Sequence, residues 1–140
     1  MKLIKRLALA LLTMIALATG YLWFVFASPY GYTPPENLPA ISRQEPHRVF
    51  VYGTLRSGVV RWLVYGRWGD PQPSVLPGYD REGLDIEKQP GAEVSGLVLS
   101  VSSEELAALD RYERLGVRYS RYRLRLANGQ QAWVYARIQS

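Results

Sequence analysis

The chain has 140 residues, 48% hydrophobic and 21% charged, which is enough apolar material for one packed domain and too much for a disordered chain. It has no cysteine and a single histidine, His47, so disulfides, thiolate chemistry, Cys-bearing zinc sites and multi-histidine metal sites are excluded. The net charge of +5 is concentrated at one end. Lys2, Lys5 and Arg6 supply three of the 17 basic residues, and the other 14 stand against 12 acidic ones, a net of +2 that leaves no footprint for nucleic acid.

Leu7 to Ala27 is an uncharged run of 21 residues. As a helix it is about 30 Å long, the thickness of a bilayer core. Three cations precede it, and Tyr21, Trp23, Phe24 and Phe26 crowd its far end as an interfacial belt would. It is apolar all round, unlike a helix that packs one face on a soluble core. Its length favours an uncleaved anchor over a secretory signal, for which Ala18-Thr19-Gly20 and Val25-Phe26-Ala27 offer the small-residue cleavage sites. The cations should stay cytoplasmic, which puts the C-terminal domain outside, on the periplasmic side of the inner membrane in a bacterium. Residues 28–46 carry Pro29, Pro34, Pro35, Pro39 and Pro46 and are expected to be an extended spacer. The expected division is a membrane anchor over 1–27, a proline-rich spacer over 28–46 and a domain over 47–140.

Within the domain, Arg48 to Tyr52 predicts a core strand that ends at Gly53-Thr54. Val59 to Tyr65 suits a helix or a strand. Gly66, Gly69, Pro71 and Pro73 mark a loop. Val75 to Ile86, interrupted by Pro77-Gly78, predicts a bent strand or two strands, and Val94 to Val101 another, with Gly96 a candidate bulge. Ser102 and Glu105 have capping-box spacing, and a helix should run from there to Glu113 or Leu115, stopped by Gly116. Tyr119 to Leu126 and Gln131 to Ile138 form a hairpin across Asn128-Gly129. The sum is an α+β fold: a small, mostly antiparallel β-barrel with one or two helices, preceded by a single transmembrane helix.

Spacing alone leaves the polar residues open. Asp110 and Glu113 share a helix face, and the ordinary outcome is a solvated acidic surface beside Arg111 and Arg114, with Asp110 facing solvent or serving as a structural partner. Arg121, Arg123 and Arg125 alternate along one strand, the pattern of a barrel exterior, though one of them could steer an anionic substrate or face anionic lipid. Tyr119 reads as a packed tyrosine or a ligand contact, and Tyr135 as core. Trp62 and Trp68 suit an exposed loop or a pocket rim.

Taken in order, three motifs carry more. Tyr52-Gly53-Thr54-Leu55 at a strand end, Leu109-Asp110-x-Tyr112-Glu113 at a helix end about sixty residues later, and Tyr119-x-Arg121, with the strand Val94 to Val98 before the helix, together resemble the γ-glutamylcyclotransferase-like (AIG2-like) family over residues 48 to 138. The family often has glycine directly after its glutamate; here Arg114 and Leu115 intervene before Gly116. The resemblance implies a cavity for a γ-glutamyl compound, with Tyr52, Gly53, Thr54 and Leu55 cradling its carboxylate, Tyr119 as a further contact and Glu113 as the catalytic acid/base. It implies no metal and no cofactor, and 5-oxoproline plus a free amine as products. The physical basis is sound: glycine lets the backbone approach a ligand, and successive N–H groups in a turn form an anion nest. The alternative on the same fold is a membrane-tethered module that binds a small ligand without turnover. A third is an interaction domain whose cavity is filled by side chains.

Overall fold

The computed structural model describes residues 1–26, 34–35 and 38–138; the expected spacer therefore falls partly outside the described residues. Helix α1 spans Lys2–Phe26. The elements that follow are β1 (His47–Val51), a 3-10 turn (Thr54–Arg56), α2 (Gly58–Tyr65), β2 (Gln72–Glu82), β3 (Asp85–Val101), α3 (Ser103–Tyr112), β4 (Tyr119–Arg125) and β5 (Gln131–Arg137). From Lys2 to Val25, α1 is long and apolar enough to span a membrane, and none of that stretch is buried against the rest of the chain.

The five strands form one curled half-barrel sheet in the order β2-β3-β1-β5-β4. β1 runs antiparallel to β3 and parallel to β5, and the two hairpins are antiparallel. The fold is thus α+β and mostly antiparallel as expected, with one parallel pairing at its centre. The two edges approach one another where Ala127 N–H, just past β4, donates to Val75 O of β2 at 2.9 Å.

β1 is covered on both faces, which explains its unbroken apolar run. Val49 and Val51 join Leu99, Val101, Leu106 and Leu109 in the core under α2 and α3. Phe50 and Tyr52 point the other way, to Leu76, Val94, Leu126 and Val134. α3 begins with the capping box expected of Ser102 and Glu105, both halves of which are formed.

The structure resolves or corrects several expectations. Val59 to Tyr65 lies in a helix, closed by Gly66 in the left-handed conformation (φ 77°) with its N–H on Trp62 O. Gly96 is not a bulge. It pairs regularly with Ser74, and the register shift falls between Pro77 and Tyr79, around Gly78. Gly96 is instead a close approach: a Cβ there would lie 2.3 Å from Val51 O and 2.8 Å from the Phe50 ring. α3 ends before Gly116, because Arg114 already turns the backbone left-handed (φ 51°). The arginine row is split: Arg123 and Arg125 are exposed, but Arg121 is only 3% exposed. The stretch 38–46 is no free spacer. Leu38 and Ile41 pack on the core, Pro39 O accepts from Arg121, and Ser42 O meets both His47 Nε2 and the Ser103 hydroxyl.

Since the obstacle at Gly96 is backbone of the central strand, it cannot step aside. Gly96→Ala is expected to cost about 1–3 kcal/mol or more, read as a lower urea midpoint; an unchanged midpoint would contradict the packing described.

Candidate active site

β1 delivers Tyr52 and Gly53 to the end of the sheet, where the chain winds into the 3-10 turn. The turn's hydrogen bonds begin with Arg56 N–H on Gly53 O (3.1 Å) and Ser57 N–H on Thr54 O (3.0 Å). The N–H groups ahead of them, on Thr54 and Leu55, have no partner within the turn, as at any helix start. Buried Arg61 of α2 holds the turn from behind, donating from Nη1 to Leu55 O and Arg56 O (both 3.0 Å) and from Nε to Trp68 O (2.7 Å).

α3 supplies the other wall. Asp110 is buried and receives Arg121 Nε at 2.9 Å, Arg121 Nη2 at 3.2 Å and the Tyr135 hydroxyl. The expectation of a solvated acidic face is overturned at both of its residues. Asp110 is the structural partner that clamps the helix to β4 and β5. Glu113, one turn further and at the C-cap, borders a cavity of about 140 Å³.

That cavity brings together the six residues that the family resemblance points to: Tyr52, Gly53, Thr54, Leu55, Glu113 and Tyr119. It is also lined by Phe50 and Val51 of β1 and by four residues from other elements that sequence reasoning did not assign to a site: Leu84, Tyr112, Arg118 and Tyr135. Tyr112 could have been flagged, since it precedes Glu113 within the same motif. Leu84 could not, because it lies beyond the Gly83 turn of a hairpin whose path depends on tertiary structure. Trp62 and Trp68 are exposed and lie off the cavity.

The tyrosines form a braced frame. Tyr52 OH donates to Tyr135 O (2.7 Å), Tyr119 OH donates to Leu84 O (3.1 Å), and the Tyr112 and Thr54 hydroxyls bond to each other (2.7 Å). Burial holds the phenols of Tyr52, Tyr112 and Tyr135 above their ordinary range, so they act as neutral donors. Among the described residues Glu113 is the one carboxylate on the lining, and burial pushes its pKa from 4.5 up to about 7. A Cβ on Gly53 would meet only Leu84 Cδ2, at 4.0 Å, so packing does not demand glycine there. A carboxylate poised near neutrality thus shares a small cavity with a turn that has N–H groups to offer.

The sequence profile of the family described as gamma-glutamyl cyclotransferase, AIG2-like, matches residues 49–140. The chain belongs to this family. Among solved structures, an Arabidopsis thaliana protein is 26% identical with a TM-score of 0.59, the match covering 72% of this chain and 74% of that one. A second Arabidopsis thaliana protein is 29% identical with a TM-score of 0.57, covering 71% and 66%. A structure described as gamma-glutamyl cyclotransferase is 15% identical, covers 68% of each chain and has a TM-score of 0.53, a likeness of fold. No curated protein sequence matches the chain. Family and fold together support a cyclotransferase-like kind of function for this AIG2-like chain.

Burying Glu113 has a pH signature. Below pH 4.5 it is protonated both folded and unfolded and contributes nothing. As pH rises from 4.5 to about 7 the unfolded chain releases the proton while the folded protein retains it, so stability falls across that window. The loss is about 3 kcal/mol once pH exceeds 7. Glu113→Gln should therefore stabilise the domain at pH 8 and leave it unchanged at pH 4, measured by urea unfolding; equal effects at both pH values would show that the carboxyl is solvated.

Proposed function

We propose that the chain is a membrane-anchored γ-glutamylcyclotransferase-like enzyme that converts a γ-glutamyl amine or peptide to 5-oxoproline and a free amine. The observation that carries this reading is the shared cavity of Glu113 and the Tyr52–Leu55 turn, with the glutamate held near neutrality by burial.

In this mechanism the N–H groups of the turn receive the substrate's α-carboxylate. Glu113 takes a proton from the α-ammonium group. The freed amine attacks the γ-carbonyl carbon of the same molecule, forming the five-membered ring and a tetrahedral oxyanion. Glu113 gives its proton to the leaving nitrogen and takes up the second proton of the ring nitrogen as the carbon–nitrogen bond of the amide breaks; that second proton then passes to the departing amine, and Glu113 returns to its ionised state. Nucleophile and electrophile are already joined, so holding the folded conformer is the larger part of the task. A base with a pKa near 7 suits both halves of the proton transfer.

Helix α1 serves as the anchor in this reading. Lys2, Lys5 and Arg6 stay on the cytoplasmic side and the catalytic domain works on the outer side. A reporter fused after Ser140 should behave as exported, and cytoplasmic reporter activity would reverse the topology.

The reaction is tested with the full chain in detergent micelles and a panel of γ-glutamyl compounds. Release of 5-oxoproline is expected, with kcat/KM rising through pH 7 as Glu113 ionises. Glu113→Gln should lower kcat by about 10²–10⁴-fold with an unchanged circular dichroism spectrum. Ligands that raise the melting temperature without being consumed would instead favour the non-catalytic binding module.

A further inference from the structure

The cavity is small. At about 140 Å³ it falls below the roughly 300–1,000 Å³ of pockets that engulf a drug-sized ligand. It has room for one glutamyl-sized acyl group, so the leaving group of any γ-glutamyl substrate must pass out over the rim. Most of the lining is buried or half-buried; Thr54, Leu84 and Arg118 are its exposed members. Thr54 is committed to Tyr112. The surfaces open to a departing group are thus an aliphatic side chain and a guanidinium.

Both are fixed by their backbones. Leu84 O is held by the Tyr119 hydroxyl at 3.1 Å. Arg118 N–H donates to Arg114 O at 3.0 Å, and Arg118 O accepts from Ile138 N–H at 3.1 Å, which sets this residue immediately before the buried Tyr119. Among the described residues, the Arg118 guanidinium has no ion pair or hydrogen bond. No ion pair joins Arg118 to Glu113 among the described residues, so Arg118 shares the cavity without pairing with the base.

Building on the proposed reaction, we infer that Arg118 is a specificity-determining residue that reads a carboxylate on the leaving group, with Leu84 packing against that group's aliphatic body. The favoured substrates are then γ-glutamyl derivatives of apolar amino acids or of peptides with such a residue next to the γ-amide. Simple or cationic amines are disfavoured. A guanidinium fork matches a carboxylate in geometry as well as charge, whereas a protonated amine tail would meet repulsion.

The test uses a matched pair, γ-glutamyl-leucine and γ-glutamyl-isopentylamine, which differ only in the leaving group's carboxylate. The full chain should favour γ-glutamyl-leucine by about fivefold in kcat/KM, the scale of an exposed ion pair, through KM rather than kcat, and the preference should shrink as salt is raised. Arg118→Gln should bring the ratio near one and Arg118→Glu should invert it. A variant that loses activity on both compounds equally, or a preference that survives in Arg118→Gln, overturns the assignment. Calorimetric binding of the same pair to Glu113→Gln separates the two levels of the reading. A carboxylate preference there supports the rim assignment even if no turnover is found, and equal binding defeats it even if turnover is robust.

Discussion

The structure depends on one buried ion pair. Arg121 lies inside the domain with its guanidinium on the Asp110 carboxylate, and Tyr135 adds a hydroxyl to the same carboxylate. Buried charges are costly to place and costlier to leave alone: removing one partner of such a pair typically costs about 3–5 kcal/mol. Here the pair fastens α3 to β4 through Arg121 and to β5 through Tyr135, and Arg121 reaches on to Pro39 O of the segment before β1. The rotation and depth of the end of α3 are fixed by these bonds. Glu113, one turn beyond Asp110, takes its place at the cavity as a consequence.

The opposite wall is fixed by a different cation. Arg61 spends its donors on main-chain carbonyls, two of them in the turn after β1. It leaves the turn's leading N–H groups uncommitted while preventing the turn from unwinding. The site is therefore framed by two arginines that do not themselves line the cavity, one behind the acid and one behind the nest.

Much of this was legible in the sequence where local rules dominate. The Ser102–Glu105 cap, the Asn128-Gly129 hairpin and the apolar central strand follow from capping, turn and burial chemistry that act within a few residues. The pairing of Glu113 with the Tyr52–Leu55 turn came from the family resemblance that the motifs carry, and the cavity unites them. What failed was sidedness. Arg121 alternates with Arg123 and Arg125, and nothing in that alternation says that one will meet a buried carboxylate while the others meet water. Asp110 had the same ambiguity from the other side. Gly96 was misread because a glycine within a strand signals either a bulge or a close neighbour, and the neighbour, Val51 O, is more than forty positions away. Leu84 and Arg118 became visible only once the long hairpin and the start of β4 were in place.

The parallel pairing of β1 with β5 reaches beyond architecture. The first strand of the sheet finds its partner, through Val49 with Trp133 and Phe50 with Val134, in a segment close to the C-terminus. Until that segment is available, one side of β1 is an open edge with apolar residues on both faces, the kind of surface that recruits other chains. Such a chain, if exported, cannot bury its first strand until the residues around Trp133 have also crossed the bilayer. Native pairing, and the cavity that Tyr135 helps to enclose, would then be a late event completed away from the ribosome.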